Sequence, residues 1–154
     1  MIVMGRRRNR STGFTLVELM VTVAIVAVVA MIALPSYADY LRRSKLTEAY
    51  NALATYRAGM EQFYQDNRTY GAGSECGVAR PAGLSYFTLT CTPAAGSTAG
   101  QAYVATATGK AGTQVDGFVF TINEKNDRAT SAVPSGWGAP PISCWIVRKG
   151  GGCQ

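Results

Sequence analysis

Residues 13–34, GFTLVELMVTVAIVAVVAMIAL, constrain this chain more than any other stretch, because from position 14 to 34 the one ionisable side chain is Glu18. At 1.5 Å per residue, about 20 apolar residues span the roughly 30 Å hydrocarbon core of a bilayer. The run therefore reads as a membrane helix. Upstream, Arg6, Arg7, Arg8 and Arg10 are positive, while Ser11, Thr12 and Gly13 do not extend the apolar segment. The basic flank keeps the N-terminus cytoplasmic and sends the rest of the chain across.

Glu18 is the awkward residue. A carboxylate inside a membrane segment costs about 2.5–3.5 kcal/mol on insertion scales, so such an acid implies a function and a partner. The bland alternative is an acid that snorkels to the interface, since Glu18 stands only four residues beyond Phe14. With the basic leader before it, Gly13-Phe14-Thr15-Leu16-Val17-Glu18 resembles the cleavage and assembly motif of type IV prepilins. The resemblance implies that a prepilin peptidase cuts between Gly13 and Phe14 and that the new Phe14 amine is methylated. It also implies that Glu18 neutralises the Phe14 amine of a neighbouring subunit. The pairing is physically sound, because two charges that are each costly in hydrocarbon cost less together.

A rival reading takes the same stretch as a secretory signal cut after Ser36-Tyr37-Ala38, so that the mature chain starts at Asp39. The apolar run is longer than the usual 7–15 residues of such a signal. It contains an acid, and a helical pattern continues past the supposed cut.

The formal charge of +6 is weak evidence for nucleic-acid binding. Four of the 15 basic residues belong to the leader, and removing them leaves 11 against nine acidic residues. That is no strong electrostatic footprint. Cys76, Cys91, Cys144 and Cys153 all lie beyond the membrane segment, where an exported domain meets an oxidising compartment, so they read as disulfides. Four cysteines allow three connectivities. Pairing neighbours, Cys76 with Cys91 and Cys144 with Cys153, makes two short loops and is the preferred arrangement. Zinc is disfavoured, since the chain has no CxxC spacing and no histidine.

Pro35 removes a backbone donor and is expected to kink a long helix without ending it. Beyond it, Leu46, Ala49, Tyr50, Leu53, Met60, Phe63 and Tyr64 recur at helical steps, with Arg42, Arg43, Lys45, Glu48, Arg57 and Glu61 at other positions. The stripe is expected to pack on the chain's own domain. The pattern stops over residues 67–71, where turn formers gather. Short segments rich in Thr, Val and aromatic residues then follow at 86–92, 103–108 and 118–123, read as antiparallel strands. Residues 124–127 form a turn to a return strand at 128–132, and residues 143–147 are expected to pair again at an edge. Trp137 and Trp145 read as local core beside the disulfides.

The fold class is therefore α+β, a long N-terminal helix on a four- to five-stranded antiparallel sheet. Residues 1–13 form a cleaved leader, 14–67 the helix, with 14–34 in the membrane and 35–67 amphipathic, and 68–154 the sheet domain. The stretch SYADYLRRSKLTEAYNALATYRAGMEQFYQDNRTYG and the ending CWIVRKGGGC resemble PilE-like type IV pilins of Gram-negative bacteria, often grouped as minor pilins. That resemblance implies the type IV pilin fold, with Cys144 and Cys153 closing a C-terminal loop exposed on the filament. It also implies partners: other pilin subunits in a helical filament, the prepilin peptidase, the pilus assembly machinery, and the inner membrane before assembly. The protein would end in an extracellular pilus serving adhesion, twitching motility or DNA uptake.

Enzymatic activity is not expected. Histidine-based triads are excluded by composition, and the acids sit in turn-like surroundings. No cofactor or metal is expected, and the acidic cluster Asn123, Glu124, Asn126, Asp127 reads as a turn because it lacks calcium-loop spacing. Two functional alternatives stand beside the pilus subunit: a type II secretion pseudopilin, and a DNA-binding competence pilin using Arg128, Arg148 and Lys149. A weak DNA or surface ligand belongs to the second of these.

Overall fold

A computed structural model describes residues 13–72, 74–93 and 100–153. The expected basic leader, residues 1–12, lies outside them. Helix α1, Leu16–Asn67, is one unbroken element with Pro35 inside it. It is long and apolar enough to cross a membrane by length and composition. The chain divides after Ala38 into two compact units. In the first, the large apolar side chains are exposed, from Phe14 at 82% down to Val21 at 52%.

The second unit, Asp39–Gln154, holds the rest of α1 and the sheets. Two short strands, β1 (Gly71–Ala72) and β2 (Glu75–Cys76), pair after the helix. The main sheet is an antiparallel meander of β3 (Phe87–Pro93), β4 (Tyr103–Gly109), β5 (Val119–Asn123) and β6 (Arg128–Ala132), in that order. Alternation sets its faces. Along β4, Tyr103, Ala105 and Ala107 are buried while Val104 and Thr108 are exposed. These side chains join Leu46, Tyr50, Leu53, Tyr56 and Met60 of α1 in one core with Phe87, Phe120 and Ile122. The helical stripe and the alternating strands thus bury each other. The 124–127 turn is built by Asn123, whose side-chain oxygen accepts from the backbone N–H groups of Lys125 at 3.1 Å and Asp127 at 2.8 Å. Asn126 supplies the left-handed position at φ 65°.

The C-terminal segment departs from the expectation of an edge strand on the main sheet. Ile142 makes a lone bridge to Thr130, and then β7 (Ile146–Arg148) pairs with β8 (Gly152–Cys153) in its own hairpin. The reason is burial: Trp145 and Ile146 turn into the core at 2% and 0% exposure. Gly150 and Gly151, at φ 82° and 86°, then reverse the chain in a conformation other residues rarely adopt.

Candidate functional site

The motif at the head of the apolar run has a local geometry that the spacing alone does not announce. Gly13 and Phe14 precede the helix, and Thr15 caps it. Its hydroxyl accepts the backbone N–H of Glu18 at 3.2 Å, and its carbonyl accepts that of Leu19 at 3.2 Å. Thr15 followed three residues later by Glu18 is the sequence signature of a helix start, a signal the reading by hydrophobicity passes over. Glu18 lies in the first turn, where the helix N-terminus favours an acid by about 0.3–1 kcal/mol. The carboxylate is exposed and makes no ion pair among the described residues.

The proposed basic edge is rearranged by tertiary contacts. Lys149 does not stand free: its ammonium lies 2.8 Å from Asp39 on α1. Arg42 approaches the same carboxylate at 3.8 Å and donates through Nε to the Gln114 carbonyl at 2.8 Å. The bond from Lys149 is the chief reason that the Asp39 carboxyl is held below the usual carboxylate range. The Arg128 guanidinium carbon lies over the Trp145 ring, 4.6 Å from its centre. It lines a cavity of about 480 Å³ with Asn126, Asp127, Ser143 and Cys144. Arg148 is exposed, its stem beside Gly152, where an added Cβ would fall 2.2 Å from Nε.

Disulfides join Cys76 to Cys91 and Cys144 to Cys153, with Cα separations of 6.1 and 5.8 Å. The first ties β2 to β3, and the second closes the β7–β8 hairpin. Trp145 organises the ground beneath that hairpin. It stacks on Tyr50 at 5.4 Å and donates through Nε1 to the Thr121 carbonyl at 2.9 Å. Tyr50 in turn donates to the Ile146 carbonyl at 2.5 Å, and burial raises its phenol well above the ordinary tyrosine value. Thr130, fully buried, donates to the Cys144 carbonyl at 2.6 Å and accepts the Ile146 N–H at 3.1 Å.

Glu48 was legible only as one polar position on the helix. Its carboxylate accepts the backbone N–H groups of Ser85, Tyr86 and Phe87 at 2.6, 2.7 and 3.2 Å, fastening α1 to the start of β3. No local signal marks it, since the three donors lie nearly 40 residues away.

Two family models match. One, described as the type IV minor pilin ComP, DNA uptake sequence receptor, covers residues 35–117. The other, the prokaryotic N-terminal methylation motif, covers residues 8–34. The fimbrial protein EcpC of Eikenella corrodens is 36% identical over 86 residues, 55% of this chain and 56% of that protein. The type IV pilus subunit protein TapA of Aeromonas hydrophila is 47% identical over 81 residues, 49% of this chain and 55% of its own. The chain thus spans about half the length of these curated relatives. The crystal structure of the non-core minor pilin PilV of Neisseria meningitidis aligns with a TM-score of 0.48 at 19% identity, over 63% of this chain and 93% of that one.

Proposed function

We propose a function whose premise is family membership: the chain belongs to the type IV minor pilin family that the ComP model describes. It acts as a structural subunit of a type IV pilus. It waits in the inner membrane on residues 14–34, is cut between Gly13 and Phe14 by a prepilin peptidase, is methylated on the Phe14 amine, and polymerises through α1, bent at Pro35. The observation that carries this reading is Glu18, an acid at the head of an exposed apolar helix with no ion-pair partner among the described residues. The helix terminus contributes about 0.3–1 kcal/mol. That is less than the about 2.5–3.5 kcal/mol an acid costs well inside a membrane. A cation brought by a second subunit, the Phe14 amine, offsets the remainder. The match of the methylation motif to residues 8–34 supports the processing step. Intact mass and N-terminal sequencing of the membrane-extracted protein test it. The expected mature chain begins at methylated Phe14, whereas a start at Asp39 establishes a secretory signal instead.

The family description favours a second reading, that the domain binds DNA as a competence pilin. Phosphate binding is salt-dependent through counterion release. The fragment starting at Asp39 should therefore shift duplex DNA in a gel at low salt and release it at moderate salt. Arg128→Gln should weaken the shift more than Lys149→Gln, because Lys149 is already committed to Asp39. No shift at low salt removes the DNA reading. The same family match favours a pilus over a secretion piston.

A further inference from the structure

Asp39, the first residue of the second unit, gathers three cations. The Lys149 ammonium lies 2.8 Å from its carboxylate and the Arg42 guanidinium 3.8 Å, while Arg43 donates through Nε to the Asp39 carbonyl at 3.3 Å. Lys149 makes the short contact and neutralises the acid, so the charges of Arg42 and Arg43 are left over. Each guanidinium is nevertheless held in place through Nε, that of Arg42 by the Gln114 carbonyl at 2.8 Å. Among the described residues the terminal nitrogens of neither arginine donate a hydrogen bond. Paired N–H groups of this kind grip a phosphate at two points, a geometry that lysine lacks.

The place of the pair in the chain indicates which phosphates it meets. Asp39 follows Leu34, the last residue of the apolar run, by five residues, about 7.5 Å at helical rise. Side chains on a helix tilt toward its N-terminus, and both arginines reach back toward Asp39. The headgroup layer of a bilayer is about 5–7 Å deep on each face, so guanidiniums at Asp39 stand at its outer edge. Tyr37 and Tyr40, exposed between the run and the arginines, are of the residue type enriched at membrane interfaces. Positive charge beyond a span also opposes sending that flank across. Arg6, Arg7, Arg8 and Arg10 outweigh it during insertion, and a gain on the far side offsets what remains.

We infer that Arg42 and Arg43 grip the phosphates of anionic lipids on the domain's side of the membrane, with Lys149 neutralising the acid that would otherwise hold them. Attraction between basic residues beside a span and anionic headgroups acts within about a Debye length, about 8 Å at physiological salt. Arg43 is exposed and Arg42 half-buried, so the outer fork is open to a headgroup. The contact holds the domain against the membrane until the subunit leaves for a filament. The inference rests on residues 14–34 spanning a membrane, and it adds to the pilus reading a lipid class that the waiting subunit prefers.

The test uses the full chain in lipid nanodiscs, made of phosphatidylcholine alone or of phosphatidylcholine and phosphatidylglycerol in equal parts. Modification of arginines by phenylglyoxal, read by peptide mass spectrometry, should be at least fivefold slower at Arg43 in the mixed discs. It should be unchanged at Arg80, which lines a pocket with Tyr56 about 25 Å further along the helix. High salt should abolish the difference. After detergent extraction from the mixed discs, Arg43→Gln should retain at most half the phosphatidylglycerol per chain that the unaltered protein retains. Equal modification of Arg43 in the two kinds of disc, or equal retention by the variant, overturns the inference. Protection by free glycerol phosphate in phosphatidylcholine discs, as strong as that by the lipid, overturns the lipid as the source of the phosphate. Protection by duplex DNA and not by phosphatidylglycerol assigns the pair to the DNA reading instead. A chain that enters discs of neither composition brings down the membrane span, and the lipid contact with it.

Discussion

Replacing Glu18 by Ala is expected to leave membrane insertion intact and to abolish entry into filaments. Removing the carboxylate makes the segment less costly in hydrocarbon, by up to about 2.5–3.5 kcal/mol at full depth, so the variant should accumulate in the membrane fraction at least as well as the original. On the proposed pairing, it loses the charge that offsets a neighbour's Phe14 amine in the same apolar surroundings. An uncompensated buried charge costs about 3–5 kcal/mol, which is a loss of more than a hundredfold in incorporation. The helix start should survive, because Thr15 caps it through the backbone N–H of Glu18, which alanine retains. Quantitative immunodetection in membrane and sheared-filament fractions separates the two effects. Incorporation of Glu18→Ala at the original level would sink the pairing mechanism.

The second large effect is expected at Trp145. Its ring is 2% exposed, stacks on Tyr50, carries the Arg128 guanidinium over it and donates to the Thr121 carbonyl of β5. Trp145→Ala removes all of these and leaves a cavity under the β7–β8 hairpin, a change that costs about 3–5 kcal/mol in a packed core. Since domain stability is about 5–15 kcal/mol, the variant should be close to unfolding. Urea denaturation of the fragment starting at Asp39 measures the difference. Trp145→Phe keeps most of the ring and forfeits the hydrogen bond to the Thr121 carbonyl, which lies within the β5 ladder, so a loss of about 0.5–1.5 kcal/mol is expected. A loss below about 1 kcal/mol in Trp145→Ala would show that the hairpin, closed by Cys144–Cys153, holds its place without the ring.

The strands illustrate how far local pattern reaches. The segment read at 103–108 appears as Tyr103–Gly109, because alternation and β-branched composition report burial of one face without reference to any partner, and the return strand read at 128–132 appears as Arg128–Ala132, because the turn at 124–127 sends the chain back along β5. The end of α1 at Asn67 was equally legible, from the gathering of turn residues after the apolar stripe. Residues 143–147 were not. Their composition permits a strand, but whether they join the main sheet depends on where Trp145 can be buried, and that is decided by Tyr50 and Thr121, residues far away in sequence. Lys149 shows the same limit at the candidate site. In sequence it is one cation of a basic ending, and in the fold it is the partner of Asp39, 110 residues earlier.

By itself the sequence determined the membrane-length run with its single acid, the amphipathic continuation, the short antiparallel strands and the four cysteines beyond that run. Each of these is a property of residues within a few positions of one another, where helix and strand periods and the apolar length needed to cross a bilayer apply directly. The tertiary structure alone decided that Glu48 fastens the helix to β3 and that Trp145 and Ile146 draw the C-terminal hairpin off the main sheet. Those outcomes depend on which distant polar groups burial leaves in need of a partner and which apolar surfaces remain uncovered, and a chain must fold before either question has an answer.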